Sequence, residues 1–274
     1  MKKTKIKLGF IGCGNMGQAL VTALIKKKIF KGSEIGATTL HPEKKRLLRK
    51  KYKIQLFDTN AELAQSAPLI LLAVKPQQMK EVLQEIAAVI TPRHLVITIA
   101  AGLDTLFYLR FLPKGTRLIR AMPNTPSLLG MGATGLFSAP SAKKSDRQLA
   151  LKIFSAVGKA LFIPQEEWLD IVTALSGAGP AFVYHFIDSM IKGATQLGLP
   201  EEIARPLFLE TVKGAVEMIR SVKEPIDVLI SRVASKGGTT EAGLNLMREK
   251  GFAEILRQTV EAATNRAKEL RGQT

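Results

Sequence analysis

The 274-residue sequence contains one cysteine, Cys13, and three histidines, His41, His94 and His185. A single thiol excludes an intrachain disulfide and any multi-cysteine metal site, and it points to a reducing compartment. With no H-x-x-x-H pair among so few ligand residues, no protein-bound metal is expected. Aromatic residues are scarce, at 6% against 46% hydrophobic residues overall, the balance of a globular protein with an aliphatic core. No apolar run approaches the roughly 20 residues needed to cross a bilayer. Met1-Lys2-Lys3 faintly resembles the positive start of a signal peptide, but Gly12 to Asn15 interrupts any apolar segment too early. The reading is of a cytoplasmic protein with no membrane contact. Acidic residues are also in short supply, 23 against 40 Lys and Arg, for a net charge of +17. Residues 1–60 alone hold fifteen Lys and Arg against three acids, so +12 falls there. Such an excess can mark a nucleic-acid surface. Here it lies on expected exposed helix faces, Lys26 to Lys28 and Lys44 to Lys53, without the interleaved aromatics that base stacking uses. A solvated basic surface with a mild attraction for anionic substrates follows, and no nucleic-acid partner.

What the chain does have is a short loop, Gly12-Cys13-Gly14-Asn15-Met16-Gly17, around which the rest is organised. It follows the apolar run Ile6 to Ile11 and opens a helical spacing, Ala19, Leu20, Ala23, Leu24. Strand, glycine turn and helix in that order form the context in which G-x-G-x-x-G binds a dinucleotide. Gly12 permits the tight turn, Gly14 lets backbone approach a pyrophosphate, and Gly17 lets helix and strand pack closely. The helix start then offers unpaired N–H groups and a positive dipole end to the phosphates.

Further strands are expected at Glu34 to Thr39, at the continuous apolar run Pro68 to Val74, at His94 to Ala100 and at Arg117 to Ala121. A charged helix over Pro42 to Lys51 and one starting at Pro76, with Met79, Val82, Leu83, Ile86 and Ala87 apolar, lie between them. This alternation predicts an α/β fold, a Rossmann-type, doubly wound and mostly parallel sheet. Ligands of such sheets bind beyond the carboxyl ends of the strands. The glycine loop, Lys75, Ala101-Gly102 and Asn124 all fall there. Beyond Pro164 only helical periodicity remains, with helices expected over Pro180 to Gln196, Pro200 to Arg220 and Gly251 to Leu270. The expected division is an α/β dinucleotide-binding domain over 1–164 and an all-helical domain over 165–274. In NAD-binding folds an acid about 20 residues past the glycines holds the ribose 2′-OH. That window reads Gly36-Ala37-Thr38-Thr39-Leu40-His41, without a carboxylate and with Lys44, Lys45 and Arg46 close behind. Hydroxyls at Thr38 and Thr39 can donate to a phosphate, so NADPH is the expected cofactor, with NADH accepted less well.

Two further runs stand out in the helical half. Leu175-Ser176-Gly177-Ala178-Gly179-Pro180-Ala181 places small residues and a proline just before a long helix, as a helix start would. Val233-Ala234-Ser235-Lys236-Gly237-Gly238-Thr239-Thr240-Glu241 makes a concave set of N–H and O–H donors apt for a carboxylate. On residue chemistry alone each could equally be a simple helix cap.

Over nearly its whole length the chain resembles pyrroline-5-carboxylate reductase. The matching runs are Gly9 to Gly17, Ala-Val-Lys-Pro at 73–76, Ile-Ala-Ala-Gly at 99–102, and Arg-Ala-Met-Pro-Asn-Thr-Pro at 120–126. Leu-Ser-Gly-Ala-Gly-Pro-Ala at 175–181 and Ser-Lys-Gly-Gly-Thr-Thr at 235–240 complete the set. The glycine loop is shared by many enzymes, whereas the last three runs in this order are specific. The resemblance implies NADPH-dependent reduction of the cyclic imine 1-pyrroline-5-carboxylate to L-proline, the last step of proline biosynthesis. It implies an all-α C-terminal dimerisation domain that intertwines with a second subunit in a homodimer or higher homo-oligomer. The substrate would sit between the nicotinamide and the Gly-Gly-Thr-Thr turn. Carried over by position, Gly12, Gly14 and Met16, with Asn15 and Gly17 of the same loop, would meet the cofactor phosphates. Thr38, Thr39 and Asn60 would lie at the adenosine end, and Ala73, Lys75, Ala100 and Asn124 would border the nicotinamide. Val233, Ser235, Gly237, Gly238, Thr239 and Thr240 would hold the substrate, with the catalytic Thr240 hydrogen-bonded to the imine nitrogen.

The sequence departs from the family pattern in three places. Lys236 replaces the usual proline before Gly-Gly, Glu210 stands where glutamine is common, and Pro225 to Val233 is one residue longer, which unsettles any transfer onto Glu224. These bear on the geometry of the substrate turn rather than on the fold. The chemistry asks for a positioned hydride donor, an electrophilic C=N carbon and a proton on nitrogen, and no strong acid–base pair. A rival of the same architecture is another imine reductase or a 3-hydroxyacid dehydrogenase, whose Lys-x-x-x-Asn spacing Lys192 to Gln196 loosely imitates. A rival of another class is a non-catalytic nucleotide sensor or nucleic-acid binder using the basic face.

Overall fold

The computed structural model describes residues 5–39 and 42–272. By its packing the chain forms two compact units, one running to Ala178 and including the stretch from Ala263 on, the other Gly179–Ala262. Leu40 and His41, in the window read for nucleotide choice, lie outside the described residues.

In the first unit, β1 (Leu8–Ile11) leads through the glycine loop into α1 (Asn15–Lys26). Then come β2 (Ile35–Thr38), α2 (Pro42–Tyr52), β3 (Gln55–Leu56), α3 (Asn60–Ser66), β4 (Leu69–Leu72) and α4 (Pro76–Ile86). β5 (Leu95–Thr98), α5 (Thr105–Phe111), β6 (Arg117–Met122), β7 (Gly132–Ser138), α6 (Lys144–Phe154), β8 (Gly158–Phe162) and α7 (Trp168–Val172) follow. The strands form one sheet in the order β3-β2-β1-β4-β5-β6-β7-β8. All neighbouring pairs are parallel except β6 with β7. The last strand expected from sequence lies over 117–121. β7 and β8 extend the sheet beyond it, and β3 adds a short strand at the other edge.

The strands β1, β2, β4 and β5 are buried throughout, as a sheet covered on both faces requires. Successive side chains point to opposite faces. Leu69 and Leu71 join Leu20, Val21 and Leu24 of α1, Leu48 of α2 and Phe154 of α6 in one core layer. Ile70 and Leu72 join Leu63 of α3, Met79 and Leu83 of α4 and Tyr108 of α5 in the other. The chain thus winds in both directions from β1, and the order reverses between β1 and β4. Such a switch point opens a crevice at the carboxyl ends of its two strands. The Ala73 N–H donates to the Ile11 carbonyl at 2.8 Å, which holds the loops after β1 and β4 side by side.

By packing, residues 165–178 belong to this first unit, and Leu169 and Asp170 are buried. The run Leu175 to Ala181 does contain a helix start, at Gly179, but no loop precedes it. A π-helical turn, Thr173–Gly177, links α7 to the next helix, α8 (Gly179–Gln196).

The second unit is helical: most of α8, α9 (Glu201–Ser221), α10 (Ile226–Val233), α11 (Thr239–Glu249) and the start of α12 (Phe252–Gly272). Phe186 stands 5.9 Å from Phe208 and 6.4 Å from Phe252 between ring centroids, the aromatic contact joining α8, α9 and α12. The three long helices lie where apolar periodicity places them.

Candidate functional site

The crevice at the switch point holds a cavity of about 440 Å³, within the range of small-ligand sites. Its floor is the glycine loop. Gly12 has φ +79°, and a Cβ there would stand 2.7 Å from Val74 Cγ1, so the turn needs glycine. A Cβ at Gly14 would meet nothing within 4 Å, which leaves the backbone face open for close approach. Gly14 caps α1 without a side-chain hydrogen bond, and the first turn carries no acid. The N–H groups of Asn15, Met16 and Gly17 therefore begin a helix whose positive end is not neutralised by its own side chains. Gly17 is buried against Cys13 Sγ and the Gly12 carbonyl, each 3.5 Å from a Cβ placed there. An open glycine cradle and an uncapped helix end fit a pyrophosphate.

Of the residues assigned to a cofactor, Gly12, Gly14, Thr38, Thr39, Asn60, Ala73 and Lys75 line this cavity. Asn15, Met16 and Gly17, the first residues of α1, are not among its lining residues. The far wall comes from Gln78, Glu81, Val82 and Glu85 of α4, with Asp58 and Thr59 before α3. Sequence reasoning missed this wall. The signal was present: 78, 81, 82 and 85 follow i, i+3, i+4, i+7 spacing, so they share one face beside the core stripe of α4. Asp58 pairs with Lys45 at 3.1 Å, but its side chain is 93% exposed, so the pair contributes little stability.

Ala100 and Asn124 do not line the cavity; both are buried. The Asn124 side chain is spent within the protein. Its Nδ2 donates to the Ser176 carbonyl at 2.9 Å, and its Oδ1 accepts the Ala133 N–H at 2.9 Å. The Ala100 N–H donates to Thr98 Oγ1 at 3.3 Å, and the Thr98 and Tyr108 hydroxyls are 2.6 Å apart. Burial pushes the Tyr108 phenol well above its ordinary range, against the smaller effect of the Thr98 hydrogen bond. Beside them Arg120, buried on β6, reaches Glu166 Oε1 at 2.6 Å. The same oxygen accepts the Thr105 N–H at 2.7 Å and its hydroxyl at 2.6 Å. This polar cluster braces the loop from Ala100 to Thr105. Its signal in sequence is an arginine inside a central strand, which requires a buried partner.

In the second unit, Val233 ends α10 and Gly237 turns with φ +71° into Gly238, the N-cap of α11. The Gly238 N–H closes onto the Ser235 carbonyl at 3.0 Å, and the Gly237 N–H donates to Glu241 Oε2 at 2.7 Å. Thr239 and Thr240 open α11, and neither hydroxyl makes a hydrogen bond among the described residues. Glu224 grips Arg232 through two contacts of 2.6 Å, and Glu210 pairs with Lys213. Lys192 pairs with Asp188 at 2.7 Å on an exposed face of α8. Among the described residues no group of His, Cys, Asp or Glu is placed to hold a metal ion. None of their helices is long and apolar enough to cross a membrane.

A doubly wound parallel sheet whose order reverses at an open glycine cradle, followed by a helical unit, defines a Rossmann-type dinucleotide-binding protein. The family model described as pyrroline-5-carboxylate reductase dimerisation matches residues 166–270, and that described as NADP oxidoreductase, coenzyme F420-dependent, matches residues 7–102. The chain belongs to the pyrroline-5-carboxylate reductase family. It is 38% identical to a pyrroline-5-carboxylate reductase of Methanosarcina acetivorans, over 96% of this chain and 97% of the relative. It is 36% identical to that of Pseudomonas aeruginosa, over 96% of each chain. The solved structure of the Coxiella burnetii reductase superposes with a TM-score of 0.90 at 35% identity, covering 97% of this chain and 99% of that one. A Plasmodium falciparum pyrroline carboxylate reductase with NADP bound superposes with a TM-score of 0.87 at 32% identity, covering 97% and 98%.

Proposed function

We propose that the chain reduces 1-pyrroline-5-carboxylate to L-proline with NADPH, in the cytoplasm, as a homodimer or higher homo-oligomer. The single observation that carries this is the donor-rich turn Gly237 to Thr240, with two uncommitted threonine hydroxyls, in a chain aligned over 96% of its length with a named reductase. When bound, the cofactor supplies the hydride. The chain's own residues bind and position. Gly12, Gly14 and the first turn of α1 hold the phosphates, with Thr38, Thr39 and Asn60 at the adenosine end. Ala73 and Lys75 border the nicotinamide. Ala100 and Asn124 act there by shaping the loops after β5 and β6, since both are buried. Val233, Ser235, Gly237, Gly238 and Thr239 take the substrate, and because the Gly237 and Gly238 N–H groups are used within the turn, the first N–H groups of α11 are the donors for its carboxylate. Thr240 holds the imine nitrogen while hydride reaches the adjacent carbon. In functional terms the chain divides at residue 164, into a dinucleotide-binding domain and a substrate-binding and dimerisation domain over 165–274.

The test follows loss of the reduced nicotinamide signal when pyrroline-5-carboxylate is added with NADPH. Turnover of the imine, with NADPH favoured over NADH in kcat/KM, is the expected result. Turnover of hydroxyacids in reverse and none of the imine would establish the dehydrogenase reading instead. Lys192, the residue that reading relies on, is held by Asp188.

A further inference from the structure

Glu85 of α4 faces the start of α3 in the wall of the cofactor cavity. Its carboxylate accepts the Asn60 backbone N–H at 2.8 Å and the Asn60 Nδ2 at 2.5 Å. The other end of the same carboxamide, Oδ1, lies 2.6 Å from Thr38 Oγ1 at the end of β2. A carboxylate can only accept, whereas a carboxamide has one donating and one accepting end. Glu85 therefore decides which way Asn60 points, nitrogen toward Glu85 and oxygen toward Thr38. An accepting oxygen requires a donor, so the single Thr38 proton is committed to Asn60. Thr38 then presents only lone pairs to a ligand. It can accept from a ribose hydroxyl, and it cannot donate to a phosphate oxygen. The end of the second strand is where Rossmann proteins distinguish a 2′-OH from a 2′-phosphate.

We infer that Glu85 is a specificity-determining positioning residue: through Asn60 it makes Thr38 an acceptor and so restrains the preference for NADPH over NADH. The inference rests on the cofactor reading of this cavity. It revises the expectation that Thr38 donates to a phosphate and leaves Thr39 in place. Two other roles for Glu85 must be separated from it. Its charge could cap the N-terminus of α3, which would affect both dinucleotides equally. The same charge could repel a 2′-phosphate directly, which would not depend on Thr38.

The experiment measures Kd for NADPH and for NADH by titrating the reduced nicotinamide signal without substrate. Glu85→Gln keeps the shape but offers an amide, so Asn60 can reverse and release the Thr38 proton. The ratio of the two Kd values should move toward NADPH by about tenfold, the worth of one hydrogen bond to a charged group. In a Thr38→Val background the same substitution should leave the ratio unchanged, a coupling that only direct communication produces. Asn60→Ala removes the acceptor by another route and should shift the ratio the same way, which guards against poor folding of one variant. An unchanged ratio in Glu85→Gln, or equal weakening of both cofactors, overturns the inference. A shift that persists in Thr38→Val also overturns it and assigns the effect to charge. If the unaltered protein binds neither dinucleotide, the cofactor reading fails as well. Binding with an unmoved ratio sinks this inference alone.

Discussion

Thr239 and Thr240 occupy the first positions of α11, and adjacent helical residues point about 100° apart. They cannot both aim a hydroxyl at one substrate atom. If Thr240 holds the imine nitrogen, Thr240→Val, nearly isosteric, removes a positioned hydrogen bond worth roughly 2.7–4 kcal/mol at the transition state. The expected result is a kcat lower by about 10² with the NADPH Kd unchanged. Thr239→Val should cost far less, because the cap of α11 is Gly238 and no side chain completes it. Equal losses in the two variants, or a parallel fall in NADPH binding, would show a turn that serves only structure.

Asp170 carries the clearest consequence for pH. Burial pushes its carboxyl above the ordinary 3.8, and Arg271, 3.2 Å away, offsets only part of that. A raised carboxyl in the folded state favours the protonated form. Its contribution to stability is therefore fully present below the ordinary value and is lost as pH rises through the raised one. Asp170→Asn removes this dependence and leaves a partly exposed Arg271 behind. The difference in Tm between variant and unaltered protein should grow in favour of the variant from acidic to neutral pH. A flat or shrinking difference in thermal melts would disprove the assignment.

Among elements, the π-helical turn Thr173–Gly177 shows how distant segments are joined. In a regular helix the Ser176 carbonyl would accept from residue 180, but Pro180 has no N–H. Asn124, from the loop after β6, supplies that donor and ties β7 to the same point through Ala133. Asn124→Ala leaves the Ser176 carbonyl and the Ala133 N–H unsatisfied in a partly buried place. Roughly 2–4 kcal/mol of stability should go with them, visible in urea unfolding at fixed protein concentration. A loss under about 0.5 kcal/mol, the scale of an ordinary surface substitution, would mean that water replaces the amide without cost.

The whole molecule must account for the apolar surface of its helical unit. Among the described residues, Ile191 and Ala204 are the buried hydrophobics between Gly179 and Ala262, while Tyr184 is 61%, Leu207 62% and Leu197 91% exposed. Val183, Phe186 and Met190 of α8 are exposed as well. Faces of this size mark association surfaces, and the dimerisation family model spans them. Sedimentation at low micromolar concentration should show a dimer or larger species. A folded, active monomer would refute that.

Much of this architecture was legible in the chain itself, because it depends on local chemistry. The glycine spacing at 12–17 encodes a turn that only glycine makes. The unbroken apolar runs around 69–72 and 95–98 encode strands buried on both faces, and the 3.6-residue periodicity after residue 180 encodes long helices. β7 escaped because Gly132 and Gly135 weaken its strand signal, and its place was decided by partners on either side. β3, two residues long, had too little sequence to carry a period. The same division runs through the candidate site. Thr38, Asn60 and the glycine loop could be named from position along the chain. Glu85 could be placed on one face of α4 by spacing, but the role inferred for it could not be read, because it depends on the direction of a proton two side chains away. Hydrogen-bond polarity is set only when the amide of α3 is brought within 3 Å of the carboxylate of α4 on one side and of the hydroxyl of β2 on the other. Periodicity places residues on faces; packing alone decides which donor meets which acceptor.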